Sequence, residues 1–181
     1  MYVSNFKVMA RIIIYISIFI LSTFFSIVNA QNSTKAPCSD KEYSQFDFWV
    51  GNWNVYNTNG KLIGTNNIVR VPNACAIQEN WSSKTSQSQG TSYNYYNKTD
   101  NSWNQLWIDN TGFSLELKGA YSNQQMTLKS KLVNSPKGKY YNQITWTLNK
   151  DGSVTQVWDY IAENDQKLKE VFRGIYKKDE N

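Results

Sequence analysis

With no histidine in this 181-residue chain and both of its cysteines expected in a disulfide, the side chains left for catalysis are carboxylates. Without an imidazole there is no Ser-His-Asp triad, no His-ligated zinc and no proximal histidine for a haem iron. The candidates within strand-like stretches are Glu79, Asp109, Glu116 and Glu170. Glu79 alternates with Ile77 and Trp81, and Asp109 follows Trp103, Gln105 and Trp107 at a spacing of two. On a strand that spacing places acid and indole on one face. A carboxyl desolvated there has its pKa raised and can act as a general acid. The same acids could instead lie in solvent at strand ends or pair with Arg70 or Arg173, so no catalytic residue is assigned.

Binding chemistry is better represented than catalysis. Trp103, Gln105 and Trp107 on one stretch, Gln156 and Trp158 on another, and Tyr93 and Tyr95 between them mix large rings with uncharged polar groups. With Glu79, these are the expected inward residues of a pocket whose apolar walls carry a few donors and acceptors, suited to a small amphipathic or apolar ligand. The competing reading is plain core, since an aromatic stripe at period two also fills an interior; the polar members argue against a dry one. Turned outward, the same rings would form a surface for a glycan or an envelope partner.

Strands must position these residues. From Gly51 onward the pattern alternates with period two and is interrupted by turn residues, including Asn59-Gly60, Pro72-Asn73, Asp100-Asn101, Thr111-Gly112, Pro136-Lys137-Gly138 and Asp151-Gly152. Ten strands are expected: 52–56, 61–71, 75–82, 91–97, 102–109, 113–121, 125–133, 140–149, 153–162 and 167–178. A type I turn closed by Gly152 sets one hairpin register, with Ile144, Trp146, Leu148, Val154, Gln156 and Trp158 on one face and Thr145, Thr147, Thr155 and Asp159 on the other. Ten such strands approach the limit of an open twisted sheet, so the expected fold is all-β, an antiparallel up-and-down β-barrel, with a β-sandwich as the alternative.

Ahead of the first strand, Ser39-Asp40-Lys41-Glu42 reads as a capping box for a short helix. The run FDFWVGNW, 46–53, then crowds Phe46, Phe48 and Trp49 together, each worth about 2 to 3 kcal/mol when buried. A short helix laid across one barrel end would bury them all, with Trp53 entering that end from the first strand.

Further upstream, Lys7 and Arg11 followed by the apolar stretch Ile12 to Val28 and Val28-Asn29-Ala30 read as a signal peptide cleaved after Ala30, or else as an uncleaved membrane anchor. The expected organisation is a leader over 1–30, a plugging segment over 31–50, a barrel over 51–178 and a tail over 179–181. The exported product is expected in the periplasm or outside the cell. Cys38 and Cys75 form a disulfide in that setting, two unpaired buried thiols being the alternative. The net charge of +5 falls once Lys7 and Arg11 leave, and the scattered lysines form no stripe, which argues against nucleic acid. No metal or cofactor is expected.

Gly51-Asn52-Trp53 on the first strand and Phe172-Arg173-Gly174 on the last resemble the calycin superfamily of lipocalins, fatty-acid-binding proteins and related barrels. That resemblance implies that Trp53 packs beneath a basic residue of the final strand, with Arg173 as the cation of this latch. Ten strands resemble the fatty-acid-binding and nitrobindin-like branches more than the eight-stranded lipocalins, although the nitrobindin haem ligand is missing. More narrowly, FDFWVGNW, ACAIQENW (74–81), GTSY (90–93) and WNQLWID (103–109) resemble a bacterial family of exported domains of unknown function.

Overall fold

The alternation of the chain closes into a ring. A computed structural model describes residues 35–71 and 75–179, and those from Pro37 onward form one compact unit. The expected leader over 1–30 lies outside the described residues. Among the described residues there are eleven strands: β1 (Gly51–Tyr56), β2 (Leu62–Arg70), β3 (Ala76–Ser83), β4 (Gln89–Asn97), β5 (Ser102–Asp109), β6 (Ser114–Ser122), β7 (Gln125–Lys129), β8 (Val133–Ser135), β9 (Gly138–Leu148), β10 (Val154–Ile161) and β11 (Lys167–Lys178). Each of β1 to β6 pairs antiparallel with its successor, β7 pairs with β9, β9 with β10, β10 with β11, and β11 with β1. The result is a closed ten-stranded antiparallel barrel, which leaves no ring strand with an unpaired edge. No helix among the described residues is long and apolar enough to cross a membrane.

One expected strand splits. The stretch 125–133 leaves the ring after Lys129, and Val133–Ser135 folds back on the start of β9 as a small hairpin outside it. Ser130 makes the exit: its amide still donates to the Asn142 carbonyl at 2.8 Å, but the Asn142 amide donates back to the Ser130 hydroxyl, at 2.9 Å, in place of the Ser130 carbonyl. The hairpin between β9 and β10 has the register its turn dictates, Leu148 opposite Val154, Trp146 opposite Gln156 and Ile144 opposite Trp158. Gly152 closes that turn at φ 80°.

Inward rows of Ile68, Ile77, Leu117, Leu128, Ile144, Trp146 and Val154 are buried. The N-terminal segment shuts one end of the barrel with two single-turn 3-10 helices, Lys41–Ser44 and Asp47–Trp49. Tyr43 is buried from the first helix, and side chains three apart eclipse on such a helix, which brings Trp49 of the second over its N-cap residue Phe46; all three are buried. The Phe46 and Trp49 rings stack at 5.0 Å between centroids, and Phe46 meets Trp103 and Trp146 edge-on at 5.7 and 5.2 Å. Trp49 also touches Tyr176, which touches Trp53. The sequence FDFWVGNW therefore encodes an aromatic stopper.

The capping box does not form. The first helix starts after Asp40, which makes no side-chain cap bond; its carboxylate pairs instead with Lys98 at 2.8 Å. A single 3-10 turn has no third helical amide in the α-helical position for Ser39 to reach. The plug is tied down by the Cys38–Cys75 disulfide and by an ion pair between Asp47 and Arg70 at the end of β2.

The latch over Trp53 uses a different cation from the one expected. Lys178 lies directly across from Trp53 in the β1–β11 ladder, with Nζ 4.0 Å from the ring centroid. Arg173 is opposite Val157 and forms a two-pronged pair with Glu170. Strand alternation explains the correction: Phe172, Gly174, Tyr176 and Lys178 share the inward parity of β11, and Arg173 has the other.

Candidate ligand-binding cavity

The end of the barrel opposite the plug contains a cavity of about 450 Å³. Odd-numbered strands from β1 to β5 run from plug to mouth and even-numbered ones return, so depth follows position along each strand. Glu79, Ile144, Gln156 and Tyr176 form the floor; Trp81, Trp107, Trp158 and Phe172 form the walls. Ser83, Ser86, Asp109 and Phe113 lie at the rim.

Two wall tryptophans owe their position to glycines on the neighbouring strand. A Cβ on Gly64 would come within 2.2 Å of the Trp81 ring, and one on Gly90 within 2.2 Å of the Trp107 ring. Both separations are shorter than any van der Waals contact, so each indole lies across a strand only because the residue beneath it has no side chain. Trp158 is held by its Nε1–H, which donates to Asn142 Oδ1 at 2.9 Å. Phe172 meets Trp81 edge-on at 6.1 Å.

The floor is a hydrogen-bonded belt centred on Glu79, which is 4% exposed. Glu79 Oε1 accepts from Asn66 Nδ2 at 2.7 Å and Oε2 accepts from Ser92 Oγ at 2.6 Å. Ser92 Oγ accepts from Asn94 Nδ2 at 2.9 Å, and Asn94 Oδ1 accepts from Gln105 Nε2 at 2.7 Å. On the other side the Tyr176 hydroxyl donates to Gln156 Oε1. Burial pushes the Glu79 carboxyl up to about 7, with its bonds to Ser92 and Asn66 pulling the other way. Burial and the neighbouring Glu79 charge raise the Tyr176 phenol well above its ordinary range, which keeps it protonated and a donor.

Of the residues expected to face a pocket, Glu79, Trp107, Gln156 and Trp158 line the cavity. Gln105 is inward and buried but serves the belt below it. Trp103 points inward beneath the plug, where it packs on Phe46 and donates to Gln45 Oε1 at 3.0 Å. Tyr93 and Tyr95 correct the expectation: they are on the outer face, 48% and 43% exposed. The β4–β5 turn pairs Tyr96 with Trp103, Asn94 with Gln105 and Ser92 with Trp107, so the even residues of β4 share the interior with the odd residues of β5. Trp81 and Phe172 belong to the wall although no pocket role was read for them; their signal was a large ring whose inward neighbour across the ladder is glycine or another ring.

The chemistry available in the lumen is set by one carboxyl. Glu116 is exposed on the outside, and Glu170 is paired with Arg173 and Lys167. Asp109 reaches the rim, but its Oδ1 accepts from the Thr111 amide and hydroxyl and the Phe113 amide, which hold its pKa below the usual range. Among the described residues no three His, Cys, Asp or Glu side chains group to hold a metal. A solitary Glu79 near neutrality can hold or release a proton and can anchor a polar group. In comparisons with known proteins, no family model matches the chain and no curated protein sequence matches it.

Proposed function

We propose that this protein is an exported carrier or receptor barrel that holds a small amphipathic or apolar ligand in its lumen without transforming it. The observation that carries this reading is the open cavity of about 450 Å³, walled by three tryptophans and a phenylalanine over a polar floor. Pockets of about 300 to 1,000 Å³ with that division of apolar wall and placed polar groups are the usual form of small-molecule sites. The plug at one end supports the same reading, because it leaves the lumen a single mouth. Export is supported by the leader-like N-terminus and by a disulfide, a bond that persists in oxidising compartments. Membership of the calycin superfamily is supported by the closed meander barrel and by a Gly-x-Trp step beneath a cation of the last strand, here Lys178.

A titration with N-phenyl-1-naphthylamine, a neutral apolar fluorophore, tests the reading. Saturable enhancement at one equivalent per chain, with quenching of tryptophan emission, is the expected result. Emission that rises linearly without saturation would overturn it.

A further inference from the structure

The charge lining the cavity has one sign. Among the described residues its lining includes the acids Glu79 and Asp109 and no lysine or arginine. The belt beneath it also has a direction. Gln105 donates to Asn94, Asn94 to Ser92 and Ser92 to Glu79, while Asn66 donates to the other carboxyl oxygen. Ser92 has one proton, and accepting from Asn94 leaves that proton for Glu79. Both carboxyl oxygens thus receive hydrogen bonds, an arrangement that suits the acceptor-only, ionised form. No cation among the described residues pairs with that buried charge, and beside it the buried Asn66 Oδ1 has no hydrogen-bond partner. A buried carboxylate without a counter-charge is costly.

We infer that the ligand is an organic cation: an ammonium group seated on the Glu79 carboxylate, with its apolar body between Trp81, Trp107, Trp158 and Phe172. The inference rests on the ligand-binding reading above and specifies its substrate class. An ammonium supplies the missing counter-charge and three donors, and aromatic faces attract a cation. A fatty carboxylate would set a second negative charge beside Glu79. Asp109 at the rim adds to the negative field through which a cation enters.

The test compares octylamine, octanol and octanoate, equal in chain length and different in charge, by calorimetric titration at about pH 8.5, where the amine is a cation and Glu79 an anion. Octylamine should bind at least about tenfold tighter than octanol, with octanoate weakest. Glu79→Gln should bring the amine-to-alcohol ratio to about one. In the unmodified protein that ratio should also shrink at about pH 5.5, as Glu79 takes up a proton. Around Glu79 stand Asn66 on β2, Ser92 on β4 and Tyr176 on β11, none of which changes charge in that interval, and Asp109 stays ionised. Equal affinity for octanol and octylamine, or a preference that survives Glu79→Gln, overturns the cation inference and leaves the cavity reading intact. Saturable binding of none of the three overturns both.

Discussion

Lys178 Nζ lies 4.0 Å from the centroid of the Trp53 ring and donates to the Val50 carbonyl at 2.7 Å. Trp53 in turn donates its Nε1–H to the Trp49 carbonyl at 2.8 Å, so one lysine and one tryptophan staple the end of the barrel to the plug. Gly51 makes room for the staple: its φ is +141°, and a Cβ there would fall 2.2 Å from Lys178 Nζ. The Gly-x-Trp step is thereby explained by what must pass over it.

Replacing Lys178 by methionine keeps the stem and removes the charge, and should lower stability by about 0.5 to 2 kcal/mol, the range for a cation over an indole. Arg173→Ala should cost about 0 to 1 kcal/mol, since its ion pair with Glu170 is about one-third exposed. Chemical denaturation of both variants measures the order. Arg173→Ala proving the more damaging would contradict the assignment.

Glu79 should make the free protein less stable as pH rises. Its carboxyl titrates at about 7 in the fold against an ordinary 4.5, so between those values the folded state holds a proton that the unfolded chain has released. Stability from this group is complete below about 4.5, falls through about 7 and is level above, a loss on the order of 3 kcal/mol. Glu170, pulled down to about 2 by Arg173 and Lys167, has the opposite sign, but its contribution is lost only as pH falls below about 4.5. Urea midpoints from about pH 5 to pH 8 should decline in the unmodified protein and flatten in Glu79→Gln; parallel curves would refute the burial argument.

Truncating the stopper should be the most damaging single change. Phe46 is fully buried and touches Trp49, Trp103 and Trp146. Phe46→Ala should cost about 3 to 5 kcal/mol, read as a fall in melting temperature. A loss below about 1 kcal/mol would mean that the segment adds little to the core.

The disulfide spans a sequence separation of 37 residues. Replacing both Cys38 and Cys75 by serine should cost about 3 to 4 kcal/mol in the chain-entropy account. Equal unfolding midpoints for the oxidised protein and the double variant would show that the plug docks without it.

Much of the barrel was legible because turn chemistry and period-two alternation both act over short distances. The Asn149–Gly152 turn specified the face of every residue from Ile144 to Trp158, and the β9–β10 register follows it. The β4–β5 turn carried the same kind of information: four residues between Asn97 and Ser102 reverse parity across the ladder and send Tyr93 and Tyr95 outside. Reading both stretches as inward ignored that parity. The choice of Lys178 over Arg173 was likewise a matter of parity counted along one strand from Tyr176. The belt around Glu79 was less legible, since Asn66, Ser92 and Asn94 look like ordinary polar strand residues until six strands are brought side by side. Gly64 and Gly90 were hidden for the same reason, their role being visible only beneath an indole from the next strand.

Indole N–H resonances test the lumen as a binding site most directly. The protein has seven tryptophans: Trp81, Trp107 and Trp158 line the cavity, and Trp49, Trp53, Trp103 and Trp146 are buried at the plug end. Titration of the 15N-labelled protein with N-phenyl-1-naphthylamine should move the first three resonances to saturation at one equivalent and leave the other four in place. Seven unmoved resonances, or movement confined to the plug set, would contradict the account.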